Sequence, residues 1–171
     1  MTNFYRTLTI LEARYLYLVI IGAAVLFVLS QPKKIKKDFL LYAVVTLPVV
    51  FVFLKLASLF YYDPRPFVTG NFTPLIPHAP DNGFPSDHTI LSAAISSLLY
   101  PFDKKLSVLL WLLTLLVSAS RVLTGVHHWI DVLASMGLAI IASVFSYTFI
   151  FSKLKNSSMY SRLVNIKEPP R

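Results

Sequence analysis

Cysteine is absent from this sequence, and acidic residues are few. Without cysteine the chain forms no disulfide and offers no thiolate to a metal, so cysteine usage does not indicate a redox compartment. Only 8 Asp and Glu stand against 16 Lys and Arg, which gives a formal net charge of +8. Charged residues make up 14% of the 171 positions and hydrophobic residues 56%. This composition excludes an ordinary soluble domain and is typical of a membrane protein.

The basic residues are concentrated in three polar segments between apolar runs. These segments are residues 31–38, 102–105 and 152–171, and they hold 11 of the 16 Lys and Arg. The positive-inside rule predicts that all three lie on the cytoplasmic side. A nucleic-acid-binding protein would instead interleave basic and aromatic residues on a solvated surface, so no nucleic-acid partner is expected.

The apolar runs predict an all-α fold: a polytopic helix bundle that forms one domain, residues 1–171, in the bilayer. About five transmembrane spans are expected, near residues 15–30, 39–60, 88–100, 106–120 and 131–151. The third and fourth are short for a core of about 30 Å, so their helices should extend into the outer loops. Residues 1–13 mix polar and apolar positions, which predicts an amphipathic interfacial helix. Small residues in the third and fifth spans favour close helix packing.

This topology, with the N-terminus outside and residues 152–171 as a basic cytoplasmic tail, places three polar clusters on the outer side. The clusters are residues 63–67, 84–89 and 120–131, and each one borders a predicted span. The ends of four helices can therefore converge there. Polar groups at the mouth of a membrane segment are costly to place and indicate a functional site.

The last cluster contains His127 and Asp131 at a spacing of i, i+4, which puts both side chains on one face of a helix. A carboxylate that binds one imidazole nitrogen leaves the other nitrogen free as a nucleophile or base. The alternative is a polar interhelical loop with chance histidines. Gly125, two residues before His127, permits a tight turn or a close backbone approach.

The other clusters supply groups that bind anions. Arg65 lies between two prolines, which restrict its backbone, and its guanidinium suits bidentate capture of phosphate. Arg121 adds a second guanidinium. Ser86 or Asp87 can cap the third predicted helix, whose free amides attract anions, and His88 can deliver a proton to a leaving oxygen. The alternatives are a nonspecific headgroup contact for Arg65 and a plain helix cap for Asp87.

Together these residues suffice for phosphoryl transfer without a metal or other cofactor: a nucleophile, a general acid, an orienting carboxylate and cationic groups. A metal site is the competing interpretation. It would need His, Asp or Glu ligands without surrounding arginines, which repel a cation. No metal is therefore expected.

These residues resemble a known family. The segments Arg65-Pro66, Pro85-Ser86-Asp87-His88 and Ser120-Arg121-x-x-x-Gly125-x-His127-x-x-x-Asp131 are similar to the three signature motifs of the type 2 phosphatidic acid phosphatase superfamily. The resemblance covers a catalytic core of roughly residues 40–150. Residues 61–68 and 75–79 are most similar to the undecaprenyl pyrophosphate phosphatases associated with bacitracin resistance.

The resemblance implies a phosphohistidine mechanism. His127 would attack the terminal phosphorus, Asp131 would orient it, and His88 would protonate the leaving lipid phosphate and then activate water. The phosphoryl oxygens would be held at the remaining motif positions: Arg65, Ser86, Asp87 and Arg121. Two positions depart from the superfamily pattern, since Ser58 stands where a lysine is usual and Asp87 where glycine is common. The role of Lys55, one turn before Ser58, stays open.

The implied activity is hydrolysis of undecaprenyl diphosphate to undecaprenyl phosphate and phosphate, at the outer face of the plasma membrane. Phosphatidate or phosphatidylglycerol phosphate is an alternative substrate, and a non-catalytic polyprenyl-phosphate carrier or flippase is an alternative class. His128, next to Trp129, is interpreted as an interfacial residue. His78 either touches substrate or closes the outer loop. The sequence does not predict an oligomeric state.

Overall fold

The computed structural model describes residues 3–157 and 160. The main helices are α1 (Asn3–Ser30), α2 (Lys33–Phe60), the short α3 (Pro66–Thr69), α4 (Asp87–Leu99), α5 (Lys104–Leu123) and α6 (Trp129–Phe145). A π-helical segment, Ser146–Phe151, and α7 (Ser152–Lys155) continue α6. The described residues form no strand, and their isolated β-bridge joins Pro64 to Asn82. The predicted all-α helix bundle is confirmed.

Among the described residues, four helical stretches are long and apolar enough to cross a membrane: α1, α2, α5 and Trp129–Lys155. Their mean hydropathies lie between 1.9 and 2.4. Helix α4 has 13 residues, which at 1.5 Å a residue gives about 20 Å, less than the roughly 30 Å of a bilayer core. The chain is therefore a multi-pass membrane protein, and the expected number of five spans stays a prediction.

The N-terminal residues differ from expectation. From Asn3 onward the segment predicted as a separate interfacial helix is the beginning of α1, continuous with the first span. No proline or glycine precedes Gly22 to interrupt it. The hydroxyls of Thr7 and Thr9 donate to carbonyls four residues back, at 3.0 and 2.9 Å, which is compatible with a helix. Ala13 is completely buried, so this part of α1 packs into the bundle.

Helix α4 is the centre of the bundle, packed against α1, α2, α5 and α6. Its buried positions are mainly small or polar, as predicted: Thr89, Ile90, Ser92, Ala93, Ala94, Ser96, Leu98 and Leu99. Small side chains let the helix backbones approach closely. The Ser96 and Thr114 hydroxyls lie 3.0 Å apart, and Ser107 donates to the Ser96 carbonyl at 2.7 Å, which joins α4 to α5 by hydrogen bonds.

The ends of the helices sort into two groups. At one end of the bundle, which we term the site end, helices α2 and α5 end and helices α4 and α6 begin. The opposite end, which we term the basic end, contains the beginning of α2 and the short helix α7. The lysines predicted in a loop at residues 31–38 are helical, because α2 already starts at Lys33. In the predicted tail, residues 158–159 and 161–171 lie outside the described residues, including Arg162, Lys167 and Arg171.

Asn82 fixes the long connection between α2 and α4 over the site end. Its side-chain oxygen accepts from the backbone N–H groups of Asp63 and Phe84, both at 2.9 Å. Its amide nitrogen donates to the carbonyls of Ser58 and Tyr61, at 3.3 and 3.0 Å. One side chain thus ties the end of α2 to both ends of the loop that carries Arg65 and leads to His88.

Candidate active site

His127 lies at the centre of the site end, in the loop between α5 and α6. Gly125 turns the chain there with φ +78°, a conformation that favours glycine. The His127 side chain is 3% exposed, and its Nδ1 lies 2.9 Å from the Gly83 carbonyl and 3.2 Å from Asp131 Oδ2. Both oxygens are acceptors, so Nδ1 carries the proton and Nε2 keeps its lone pair.

Two guanidinium groups face this free nitrogen. Arg65 Nη1 lies 3.3 Å and Arg121 Nη2 lies 3.4 Å from His127 Nε2. A guanidinium can only donate hydrogen bonds, which agrees with an unprotonated Nε2. A phosphoryl group in front of Nε2 would therefore meet a nucleophile and two fixed positive charges.

Both arginines are buried, 5% and 3% exposed, and each donates to a backbone carbonyl, while Arg65 also has an acidic partner. Arg65 donates to the Val126 carbonyl at 2.8 Å and to Asp81 Oδ1 at 2.7 Å. Arg121 donates to the Ala13 carbonyl at 3.4 Å, a contact from α1. Burial of the ring, together with the charges of Arg121 and Arg65, lowers the pKa of His127 despite the opposing bond to Asp131. The imidazole is therefore neutral near pH 7.

The contact between His127 and Asp131 forms, but not for the reason that the spacing suggested. His127 precedes α6, which begins at Trp129, so the two residues do not share a helix face. Asp131 is instead the third residue of α6, and its Oδ2 accepts from the backbone N–H of His128 at 2.8 Å. A carboxylate that caps its own helix in this way is held in place. It then also reaches His127 Nδ1.

Asp63 and His128 form a second layer behind this pair. His128 Nδ1 lies 2.8 Å from Asp63 Oδ2, so His128 has a specific partner, although its side chain is 39% exposed. Atoms of Asp63, His128 and Asp131 all lie within 4.8 Å of one another. Burial and the nearby Asp131 carboxylate raise the pKa of Asp63. Such groups can bind a divalent cation, but the adjacent arginines repel one, and the expected absence of a metal stays a prediction.

The start of α4 supplies Ser86, Asp87 and His88. Ser86 is completely buried, and its hydroxyl has no hydrogen-bond partner among the described residues. Its backbone N–H donates to Ser135 Oγ at 2.8 Å, so that amide is already occupied. Asp87 is exposed. The His88 ring packs edge-on against Tyr17 of α1, with centroids 4.6 Å apart, within electrostatic range of His127 and Arg121.

The two residues with open roles lie in different places. Lys55 is exposed, and its Nζ lies 5.4 Å from the Phe51 ring centroid, so its role stays open. His78 is half-buried, with its ring centroid 6.2 Å from that of His127. The structure therefore brings His78 to the site together with every predicted site residue, while the catalytic roles of those residues stay predictions.

Several contributors were missed from the sequence. A Cβ at Gly83 would lie 3.1 Å from both Asp131 Oδ2 and the Asp63 carbonyl, so this glycine permits the close approach that lets its carbonyl bind His127. The Asn-Gly turn at Asn82 was a usable signal. Tyr17 and Ala13 gave no usable sequence signal, because they lie in an apolar helix outside the motifs.

Comparison with known proteins supports the same interpretation. Residues 37–155 match the model of the PAP2 superfamily. Over 133 residues the chain is 38% identical to undecaprenyl-diphosphatase BcrC of Bacillus subtilis (strain 168), covering 78% of this chain and 67% of that protein. It is 33% identical over 133 residues to the bacitracin transport permease protein BcrC of Bacillus licheniformis, covering 77% and 64%. The chain thus spans about two thirds of the length of these relatives.

A solved structure shares the fold. The crystal structure of Aquifex aeolicus LpxE superimposes with a TM-score of 0.66, covering 87% of this chain and 88% of that chain, at 22% identity. The resemblance inferred from the three motifs is confirmed by the family match, which includes all of them. The chain therefore belongs to the PAP2 superfamily and is a membrane phosphatase.

Proposed function

We propose that this phosphatase hydrolyses undecaprenyl diphosphate to undecaprenyl phosphate and inorganic phosphate. The observation that carries the proposal is the unprotonated Nε2 of His127, held between the guanidiniums of Arg65 and Arg121. A histidine fixed in one tautomer beside two cations is suited to attack on a phosphoryl group. The choice of lipid rests on the similarity to a protein named undecaprenyl-diphosphatase.

The first half of the reaction forms a phosphohistidine. The His127 Nε2 lone pair attacks the terminal phosphorus, and a P–N bond forms as the bond to the bridging oxygen breaks. His88 takes up a proton from solvent when the anionic substrate binds, and it gives this proton to that oxygen, so that undecaprenyl phosphate leaves. The imidazole becomes cationic because it keeps its Nδ1 proton, and the Asp131 carboxylate stabilises that charge.

The second half returns the enzyme to its starting state. His88, now neutral, takes a proton from water, and the water oxygen attacks phosphorus as the P–N bond breaks. Throughout, Arg65, Arg121 and the Ser86 hydroxyl bind the phosphoryl oxygens. Asp87 is exposed and lies within electrostatic range of Arg121. Because a carboxylate repels phosphate, we assign its place in the phosphate site to its backbone N–H in the first turn of α4.

We infer that the site end faces outward from the plasma membrane. The lysines that begin α2 and α5, together with Lys153 and Lys155, lie at the other end of the helices. The positive-inside rule supports a cytoplasmic position for that end. Undecaprenyl diphosphate would then be hydrolysed at the extracytoplasmic surface.

The test is a comparison of purified full-length protein on three lipids: undecaprenyl diphosphate, phosphatidate and phosphatidylglycerol phosphate. We expect kcat/KM to be at least about tenfold higher for the diphosphate, a difference of roughly 1.4 kcal/mol. Faster hydrolysis of either monophosphate lipid would overturn this substrate assignment. Activity should survive EDTA, and a loss reversed only by a divalent ion would establish a metal-dependent mechanism instead.

The carrier alternative is tested separately, since one relative carries the name of a transport permease. In proteoliposomes, the double variant His88→Asn, His127→Asn should show neither phosphate release nor lipid translocation above protein-free vesicles. Translocation that survives in this variant would support the carrier function.

A further inference from the structure

His78 lies beside the nucleophile but has no part in the reaction described above. It comes from the loop between α2 and α4, and its side chain is 25% exposed. Its ring meets that of His127 edge-on, with centroids 6.2 Å apart and an interplanar angle of 75°. A phosphoryl group that contacts His127 Nε2 therefore lies close to His78.

One nitrogen of His78 is occupied and the other is available. Nδ1 lies 3.3 Å from the Ala79 carbonyl and 3.8 Å from Asp81 Oδ1. Both are acceptors, so Nδ1 carries a proton. Nε2 has no hydrogen-bond partner within the part of the chain that the structure describes. It can donate to a phosphoryl oxygen only when the imidazole is protonated.

The surroundings keep His78 neutral while no anion is bound. Its charged and titratable neighbours are Arg65, Arg121, Asp81, His88 and His127. Burial and the charge of Arg65 lower the pKa of His78, against smaller opposing effects of the hydrogen bond to the Ala79 carbonyl and of Asp81. An anion held by the two arginines would neutralise part of their charge. Its own negative charge would also favour the protonated imidazole.

We propose that His78 binds the substrate as a protonated imidazole and selects a diphosphate over a monophosphate. This inference rests on the proposed function, which places the terminal phosphate in front of His127. A second phosphoryl group adds about one negative charge. Arg65, Arg121 and protonated His88 supply three positive charges, and protonated His78 supplies a fourth that only the more highly charged ligand requires.

The proton balance follows from this role. His78 takes up one proton from solvent when the diphosphate binds, and it releases that proton after the phosphates leave. Nε2–H then donates to a phosphoryl oxygen while Nδ1–H keeps its contact with the Ala79 carbonyl. Affinity for a diphosphate should therefore fall as pH rises through the pKa of His78 in the complex.

The experiment measures competitive inhibition by inorganic pyrophosphate and by orthophosphate, with any lipid that the wild-type protein hydrolyses. We expect His78→Gln, which cannot become cationic, to raise the inhibition constant of pyrophosphate about tenfold and that of orthophosphate less than about twofold. Asn71→Gly is the matched control in the same loop, because Asn71 is exposed with φ 48°. Its constants should equal those of the wild type.

A pH series gives an independent readout. Between about pH 6 and 8, the ratio of the pyrophosphate constant to the orthophosphate constant should rise more steeply in the wild type than in His78→Gln, where only the ionisation of the anions and of the shared site residues remains. Equal changes for both anions, no change for either, or the wild-type slope in the variant would overturn the proposal. Thermal unfolding checks that His78→Gln is folded. If it is not, His78→Asn, which also cannot become cationic, replaces it in the same measurements.

These outcomes are separate from those of the proposed function. If the wild-type protein prefers a monophosphate lipid, the assignment of undecaprenyl diphosphate fails, yet the two inhibition constants still test His78. If the protein hydrolyses undecaprenyl diphosphate and His78→Gln leaves the pyrophosphate constant unchanged, the role of His78 fails alone.

Discussion

The two ends of the bundle both bury charged side chains, but they satisfy them differently. At the basic end, Asp38 is 6% exposed and both of its oxygens have partners. Lys155 Nζ lies 2.9 Å from Oδ2, and the Tyr160 hydroxyl donates to Oδ1. At the site end, Arg121 and Asp131 are at least as buried, yet Arg121 Nε and Asp131 Oδ1 have no partner among the described residues.

This difference separates stability from function. A buried polar atom without a partner costs about 1–3 kcal/mol, and each such atom needs an explanation. At Arg121 and Asp131, a bound phosphoryl group and the proposed reaction provide one. The Asp38 cluster joins the start of α2 to the residues after α6, so its contacts hold the fold. Substitutions at the site end should therefore reduce activity, while those at the basic end should reduce stability.

The largest difference between loss of activity and loss of stability is expected for His127. His127→Asn removes the nucleophile and should lower kcat by about 10⁴-fold or more. Its melting temperature should stay within a few degrees of the wild type, because the loss concerns chemistry. Phosphate release and thermal unfolding of the same preparation measure both effects. Substantial activity in this variant would contradict the phosphohistidine mechanism.

His88→Asn tests the general acid. Loss of proton transfer should reduce turnover of a lipid diphosphate by about 10²–10⁴-fold. Phosphorylation of His127 by a substrate with a good leaving group, such as p-nitrophenyl phosphate, needs no acid and should be much less affected. A burst of nitrophenol measures that step. An equal loss on both substrates would show that His88 acts elsewhere.

Arg65→Gln tests the electrostatic coupling at the site. Removing one phosphoryl donor should cost about 10²–10³-fold in kcat/KM. His127 must be neutral to attack, so activity is lost as pH falls through its lowered pKa. Without the Arg65 charge that pKa should rise, and the acid limb of the residual kcat/KM profile should move to higher pH. A limb that stays in place or moves to lower pH would contradict the coupling.

The smallest effect is expected at the basic end. Lys155→Met removes one partner of Asp38 and should lower stability by about 1 kcal/mol, since the lysine is 43% exposed and solvent screens the pair. Activity per folded molecule should not change. Thermal unfolding and phosphate release measure the two quantities. If kcat fell while the melting temperature stayed constant, the division between the two ends would be wrong.

Much of the site was predictable because its residues are unusual in a membrane chain. Arg65, His88, Arg121 and His127 stand out against 56% hydrophobic residues, and the alternation of apolar runs with basic segments placed their helix ends on one side. The structure brings them together. The helix expected over residues 88–100 was located correctly as α4, while its role as a membrane span stays a prediction. Its central position in the bundle was not evident from one sequence.

Other features depended on contacts between segments that are distant in the chain. The Gly83 carbonyl fixes the tautomer of His127 from 44 residues away, and Ala13 holds Arg121 from 108 residues away. Backbone carbonyls are present at every residue, so no pattern identifies the one that binds. The pairing of His128 with Asp63 was missed for the same reason, and the sequence interpretation left His128 at the membrane interface.

The sequence by itself determined that the chain is a helical membrane protein and predicted which side chains carry its chemistry, because hydropathy and rare polar residues are local properties. Only the tertiary structure decided how those side chains are held. It showed that Asp131 reaches His127 by capping α6, and that His78 lies beside His127. These arrangements depend on how the connecting loops fold over the helix ends, which is set by packing and hydrogen bonds between distant segments.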